Sequence, residues 1–165
     1  MRCLNALLLF LMTPLLAQAH VANHPSVHDT VAGVVQRLQQ TLPADELKSI
    51  SVEKVHAFLT EEERHILGSE HVTFRVNVPV NVYVFRKADM SEVVFWLGER
   101  GFEKTDLVAK TDNGDYEGWR KSLPAGEVGL GVNSLSGSGD HYFAVLEPQN
   151  EGDVLEVNQI YPGQY

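Results

Sequence analysis

The feature that most limits how this chain can fold is a change of hydrophobic period at Gly68. Before it, apolar residues recur with helical spacing; after it, they alternate. Val31, Val34, Val35, Leu38 and Leu42 follow the i, i+3, i+4, i+7 rule of a helix with one buried face. Asp29 or Thr30 is placed to cap that helix, and Pro43 stops it. Three strings then share one pattern, an apolar residue, a helix starter and acids in the first turn: Leu42-Pro43-Ala44-Asp45-Glu46, Ile50-Ser51-Val52-Glu53-Lys54 and Leu59-Thr60-Glu61-Glu62-Glu63. Ser51 and Thr60 are cap residues, Thr60 with Glu63 spells a capping box, and the acids suit the positive end of the helix dipole. The reading is three short helices, ending at Gly68 as a C′ residue. Their spacing is too short for a solenoid unit, so they form a compact cap or arm.

Beyond Gly68, strand patterns recur at 71–76, 80–85, 93–97, 106–110, 116–121, 127–132, 141–146 and 154–159. Pro79 between the first two suits a bulge, an edge or a strand that changes sheet. Asn113-Gly114 is a hairpin signal, Pro124-Ala125-Gly126 a turn, and Ser136-Gly137-Ser138-Gly139-Asp140 a loop tip. Seven or eight short strands predict a mainly β fold: an immunoglobulin/fibronectin-III-like antiparallel β-sandwich at 69–165, preceded by a short helical segment at 20–68.

Residues 1–19 read as an address. Met1-Arg2 supplies a positive start, residues 4–16 an apolar stretch, and Ala17-Gln18-Ala19 the small residues of a cleavage site. No other stretch reaches the ~20 apolar residues of a membrane span, so the expectation is a secreted or periplasmic protein free of the membrane after cleavage. Cleavage removes Cys3, the only cysteine among 165 residues, so the exported part rests on its core without disulfides. It also removes Arg2, making the net charge of −9 one unit more negative. That balance excludes a phosphate-backbone reader of nucleic acid and a protein that docks on anionic lipid. Tyr161-Pro162-Gly163-Gln164-Tyr165 reads as a turn or linker, a pattern that suits either a natural C-terminus or the front of a longer protein.

Few residues suggest chemistry. Cleavage after Ala19 would make His20 the amino terminus, with His24 and His28 following at spacings of four. An amine and a ring on one residue suit copper, and the start is similar to that of copper-dependent polysaccharide monooxygenases. Those proteins enter a strand at once, whereas this chain enters a helix and Pro25 interrupts it. His56, His65, His71 and His141 are scattered. Asp140-His141 near Ser134, Ser136 and Ser138 lacks the nucleophile elbow of a hydrolase, and the reading there is a hairpin loop. Asp112 to Asp115 lacks the spaced oxygens of a calcium loop, and the reading there is a hairpin turn. The Gly129 and Gly131 pair opens no helix and cradles no phosphate. Trp96 and Trp119 could present a sugar-stacking face or belong to the core of a sandwich.

Three segments go further: Gly68-Ser69-Glu70-His71-Val72, the run from Phe95-Trp96-Leu97-Gly98 to Thr105-Asp106, and Pro124-Ala125-Gly126-Glu127 to Asn133-Ser134. Together they resemble the N-terminal, non-catalytic region of secreted bacterial metallophosphoesterases of the purple acid phosphatase-like group. The resemblance implies an accessory module whose partner is a C-terminal catalytic domain of the same protein, where a dinuclear metal site would lie. The metal-holding motifs of that domain, Asp-x-His, Gly-Asp-x-x-Tyr and Gly-Asn-His-Asp/Glu, are not in this sequence, so no catalytic residue or cofactor is carried over. Two other functions stand beside this one. The first is a free-standing extracellular carbohydrate- or protein-binding module using Trp96 or Trp119; the second is metal binding through His20, His24 and His28.

Overall fold

A computed structural model describes residues 25–136 and 141–160. Residues 1–24, which include the stretch read as a leader, His20 and His24, lie outside the described residues. Helix α1 (Val27–Thr41) starts on Ser26, not on Asp29 or Thr30. Ser26 accepts from the Asp29 amide and Asp29 reaches back to the Ser26 backbone, a reciprocal capping box. Thr30 is instead buried and bonds the Ser26 carbonyl. The buried face of α1 is Thr30, Val34 and Leu38. Val31 and Val35 stay 44% and 45% exposed, on an apolar groove of about 320 Å³ shared with Ile50, Val55 and Leu135.

The three short helices follow as α2 (Ala44–Leu47), α3 (Val52–Phe58) and α4 (Glu61–Ser69). Ser51 and Thr60 cap the last two, and Thr60 and Glu63 complete the capping box. Glu63 does a second task. Its two oxygens take both terminal nitrogens of Arg37 at 2.7 Å, tying α4 to α1 in a bidentate pair. Gly68 is no C′ residue, because α4 runs through it to Ser69. Its missing side chain serves packing: a Cβ there would come within 3.1 Å of the Trp96 Cβ.

The strands are β1 (Val72–Val76), β2 (Val80–Lys87), β3 (Glu103–Thr111), β4 (Gly114–Leu123), β5 (Gly126–Leu130), β6 (Phe143–Pro148) and β7 (Val157–Asn158). They form two antiparallel sheets of a mainly β sandwich, in the orders β5-β1-β7 and β3-β4-β2-β6. β1 and β2 are consecutive yet belong to different sheets, so residues 77–79, with Pro79 among them, carry the chain across. Phe74 and Val76 of β1, Val80, Val82 and Val84 of β2, and Val128 and Leu130 of β5 meet between the sheets.

Two expected strands differ. Residues 93–97 are not a strand: α5 (Phe95–Glu99) occupies that stretch. An unbroken apolar run has no period of its own. Here Gly101, at φ 71°, and the bond from the Phe102 amide to the Leu97 carbonyl turn the chain back after one turn and a half of helix. Trp96 and Leu97 are thereby driven into the core. Of residues 154–159, only Val157 and Asn158 reach β1, while Asn77 binds the preceding backbone at Val154 and Glu156.

The cap meets the sandwich where glycine leaves no spare room. A Cβ on Gly131 would lie 2.5 Å from the Trp96 ring and 2.6 Å from the Leu67 carbonyl. Gly131→Ala is therefore expected to destabilise the fold by about 1–3 kcal/mol in urea unfolding, as overpacking does. Gly33, in the exposed middle of α1 with nothing within 4 Å, should respond oppositely, Gly33→Ala stabilising by about 0.5–1 kcal/mol. A pH dependence follows from the Arg37–Glu63 pair. Arg37 holds the Glu63 carboxyl below its ordinary range, against burial, which pushes it up. A carboxyl lower in the folded than in the unfolded state adds stability above its unfolded pKa and loses it as pH falls through the folded value. Urea midpoints measured from neutral pH into that acid range should fall, and Glu63→Gln should flatten the fall.

Candidate binding face

The outer face of the four-stranded sheet is built by register. Along β2, alternation sends Val80, Val82, Val84 and Arg86 inward and Asn81, Tyr83, Phe85 and Lys87 outward. Pairing then places Phe85 between Gly118 and Phe143, and Tyr83 between Arg120 and Val145. Asn81 falls between Ser122 and Glu147. The result has two halves.

One half is aromatic. The Phe85 and Phe143 rings stack with centroids 5.0 Å apart and planes within 12°. Tyr116 lies 5.4 Å from the Phe143 ring. Gly118 makes the arrangement possible, since a Cβ there would come within 3.0 Å of both the Phe85 ring and the Thr105 hydroxyl. Phe85 and Tyr116 are covered, whereas Phe143, Val145 and Leu107 remain 38%, 45% and 49% exposed.

The other half is polar. The Tyr83 hydroxyl donates to Glu147 Oε2 at 2.9 Å, and the Asn81 amide donates to the same oxygen at 3.1 Å. Ser122 donates to the Asn81 carbonyl oxygen at 2.7 Å, which fixes the amide's orientation. The Arg120 guanidinium acts on the Tyr83 phenol in the opposite sense to Glu147, lowering its pKa. Asn81 first, then Tyr83, hold the Glu147 carboxyl below its ordinary range, and Glu147 in turn raises the Tyr83 phenol. The carboxylate therefore stays an acceptor at neutral pH. Apolar ring surface beside fixed donors and acceptors is the combination that recognises a sugar ring, whose C–H face stacks and whose hydroxyls bond.

The residues singled out in the sequence lie elsewhere. Trp96 is 1% exposed, donates to the Val132 carbonyl at 2.9 Å and meets Phe102 and Tyr142 edge-on. The stacking role expected of it has no surface to act on. Trp119 is half-buried on the inward side of β4, against the core and 3.2 Å from Glu117. Of the three spaced histidines only His28 is described, exposed on α1. Among the described residues no group of three or more His, Cys, Asp or Glu side chains is placed to hold a metal ion. Asp112 and Asn113 form the hairpin turn between β3 and β4. Ser134 binds Glu92 and Ser136, ordering its own loop, while Ser138 and Asp140 lie outside the described residues. The sequence signal for the face was the Tyr83-x-Phe85 alternation. It became readable only once register put Gly118, Phe143 and Glu147 beside it.

The three segments behind the metallophosphoesterase resemblance converge in space. Arg100 Nη1 donates to both the Gly68 and Gly129 carbonyls at 2.7 Å, and Trp96 of the same segment reaches Val132. They form the joint between cap and sandwich. Among the described residues, no helix is long and apolar enough to cross a membrane.

Gly118→Ala should force the Phe85 ring off its seat. The expected result is a loss of about 1–3 kcal/mol in urea unfolding together with a changed near-ultraviolet circular dichroism signal, the signature of displaced aromatic packing. No family model, no curated protein and no solved structure matches this chain.

Proposed function

We propose that this chain is an exported, non-catalytic binding module that takes extracellular carbohydrate on the outer face of its four-stranded sheet. The observation that carries the reading is the exposed Phe143 ring, stacked on Phe85, on the same face as the Tyr83, Asn81 and Glu147 bonds. A protein-binding face of the same area would be expected to put its aromatics at the centre of a polar ring. Here they occupy one side and the fixed hydrogen-bonding groups the other. Export rests on the leader pattern of residues 1–19.

The same module would sit at the front of a metallophosphoesterase-like hydrolase. What favours this second reading is the convergence of the three resembling segments on one joint at Arg100. The resemblance thus concerns architecture, as an accessory domain requires. An Asp-x-His motif in the coding sequence after Tyr165 would support it, and a stop codon there would remove it.

The carbohydrate reading is tested by co-sedimentation with insoluble polysaccharides and affinity electrophoresis in soluble ones. At least one glycan should retain the protein, and Phe143→Ala should weaken retention about tenfold, equivalent to about 1.4 kcal/mol. Thermal unfolding of the variant checks that the fold is intact. Retention by no glycan, or undiminished retention of a folded Phe143→Ala protein, would overturn the proposal.

A further inference from the structure

The carboxylate on the binding face is more tightly arranged than a surface glutamate needs to be. Both bonds to Glu147 end on Oε2, from Asn81 and from Tyr83, and Oε1 accepts none from any described residue. Ser122 locks Asn81 from behind. One oxygen is thus held still while the other is left without a donor among the described residues. An acceptor fixed in this way binds a donor without first losing its own rotamer freedom.

Charge narrows what that donor can belong to. Arg120 acts electrostatically on both Tyr83 and Glu147 and pairs in register with Glu103 of β3. The chain as a whole carries a net charge of −9. A carboxylate or sulfate at the polar end of the face would meet Glu147 and Glu103 beside Arg120, while Lys87 stands at the far, aromatic end, and like charges placed together at an interface are a strong discriminator.

Distance sets a length. Phe143 and Glu147 lie on the same strand and the same face, four residues and so about 13 Å apart. That exceeds the width of one sugar ring. A ligand using both the aromatic half and the free oxygen must contain at least two.

Resting on the carbohydrate reading above, we infer that the face selects uncharged oligosaccharides of two or more rings. Glu147 is the selecting residue, accepting a ligand hydroxyl on Oε1 and repelling uronate-bearing and sulfated chains. The aromatic half supplies affinity for any sugar polymer; the carboxylate decides which kind is held.

The test is affinity electrophoresis and titration calorimetry at low ionic strength, where charge effects are least screened. The probes are neutral glucan, mannan, xylan and galactan, and acidic alginate, polygalacturonate and heparin. The wild-type chain should bind at least one neutral glycan and none of the acidic ones. Glu147→Gln removes the charge and retains an oxygen for Asn81 and Tyr83. It should raise affinity for an acidic glycan about tenfold while changing neutral binding less than that. Oligosaccharides of the bound neutral glycan should compete where its monosaccharide does not. Acidic chains bound as tightly as neutral ones, a neutral-to-acidic ratio untouched by Glu147→Gln, or equal competition by the monosaccharide would each overturn the inference. If acidic chains bind and Phe143→Ala abolishes it, the carbohydrate reading survives and the selection by Glu147 does not. If the wild type binds no glycan, both fall.

Discussion

The structure depends on one joint, where a guanidinium and an indole fasten the helical cap to the sandwich. Arg100 donates from one nitrogen to the carbonyls of Gly68, at the end of α4, and Gly129, on β5. Its guanidinium carbon stands 5.9 Å from the Trp96 ring centroid, and Trp96 itself donates to Val132. Both carbonyls thereby gain a donor where the cap closes over the sheet, and an unmet buried acceptor costs on the order of 1–3 kcal/mol. The close approach is possible because Gly68, Gly129 and Gly131 have no side chains in the way. Burial pulls the Arg100 guanidinium below its ordinary pKa, against an opposing influence from Tyr142. Its bonding is to backbone oxygens, so the joint locks geometry more than it balances charge.

A second buried cation organises the other side of α5. Arg86 is 4% exposed and bonds Glu117 at 2.5 Å and the carbonyls of Met90 and Glu92 at 2.5 and 2.7 Å. The Glu92 side chain then gathers Ser134, Ser136 and the Leu135 amide. The connection from β2 to α5 is thus fixed at one end by a strand residue and at the other by the loop after β5. Lys104 adds a bond to Glu117 from the outer edge at 2.6 Å. Removing one member of such a set would leave a buried charge without its partner, which is more damaging than replacing the whole set by apolar groups. These contacts hold the four-stranded sheet in the shape that its outer face presents.

That outer face owes its character to the division of labour along the strands. The inward residues of β2 are three fully buried valines and Arg86, so nothing on that side limits what the outward residues do. Phe85, Tyr83 and Asn81 descend from apolar to polar in steps of two, and each neighbour strand continues the gradient: Gly118, Arg120 and Ser122 on β4, Phe143, Val145 and Glu147 on β6. A graded face of this kind has direction, one end offering dispersion and ring contact, the other hydrogen bonds of fixed orientation.

The sequence by itself determined the local rules. Helix caps at Ser51 and Thr60, the change to alternation after Gly68 and the Asn113-Gly114 hairpin are encoded in neighbouring residues, so short-range spacing suffices to find them, whereas Pro79 suited a bulge, an edge or a sheet change until the topology chose the last. Ser26 in place of Asp29 or Thr30 was a local decision too. It escaped because Asp29 serves as the return partner of the capping box, not as the cap. Only the tertiary structure decided the rest. Residues 93–97 read as a strand, but packing buried Trp96 and Leu97 together in a short helix and Gly101 turned the chain back. Gly68 reads as a helix terminator, yet its role is clearance for the Cβ of Trp96, 28 residues away. The aromatic face joins residues from four strands, and no pairwise spacing in the sequence encodes which strand lies beside which. A sheet's surface is set by register between distant segments, whereas its strands are set by alternation within each.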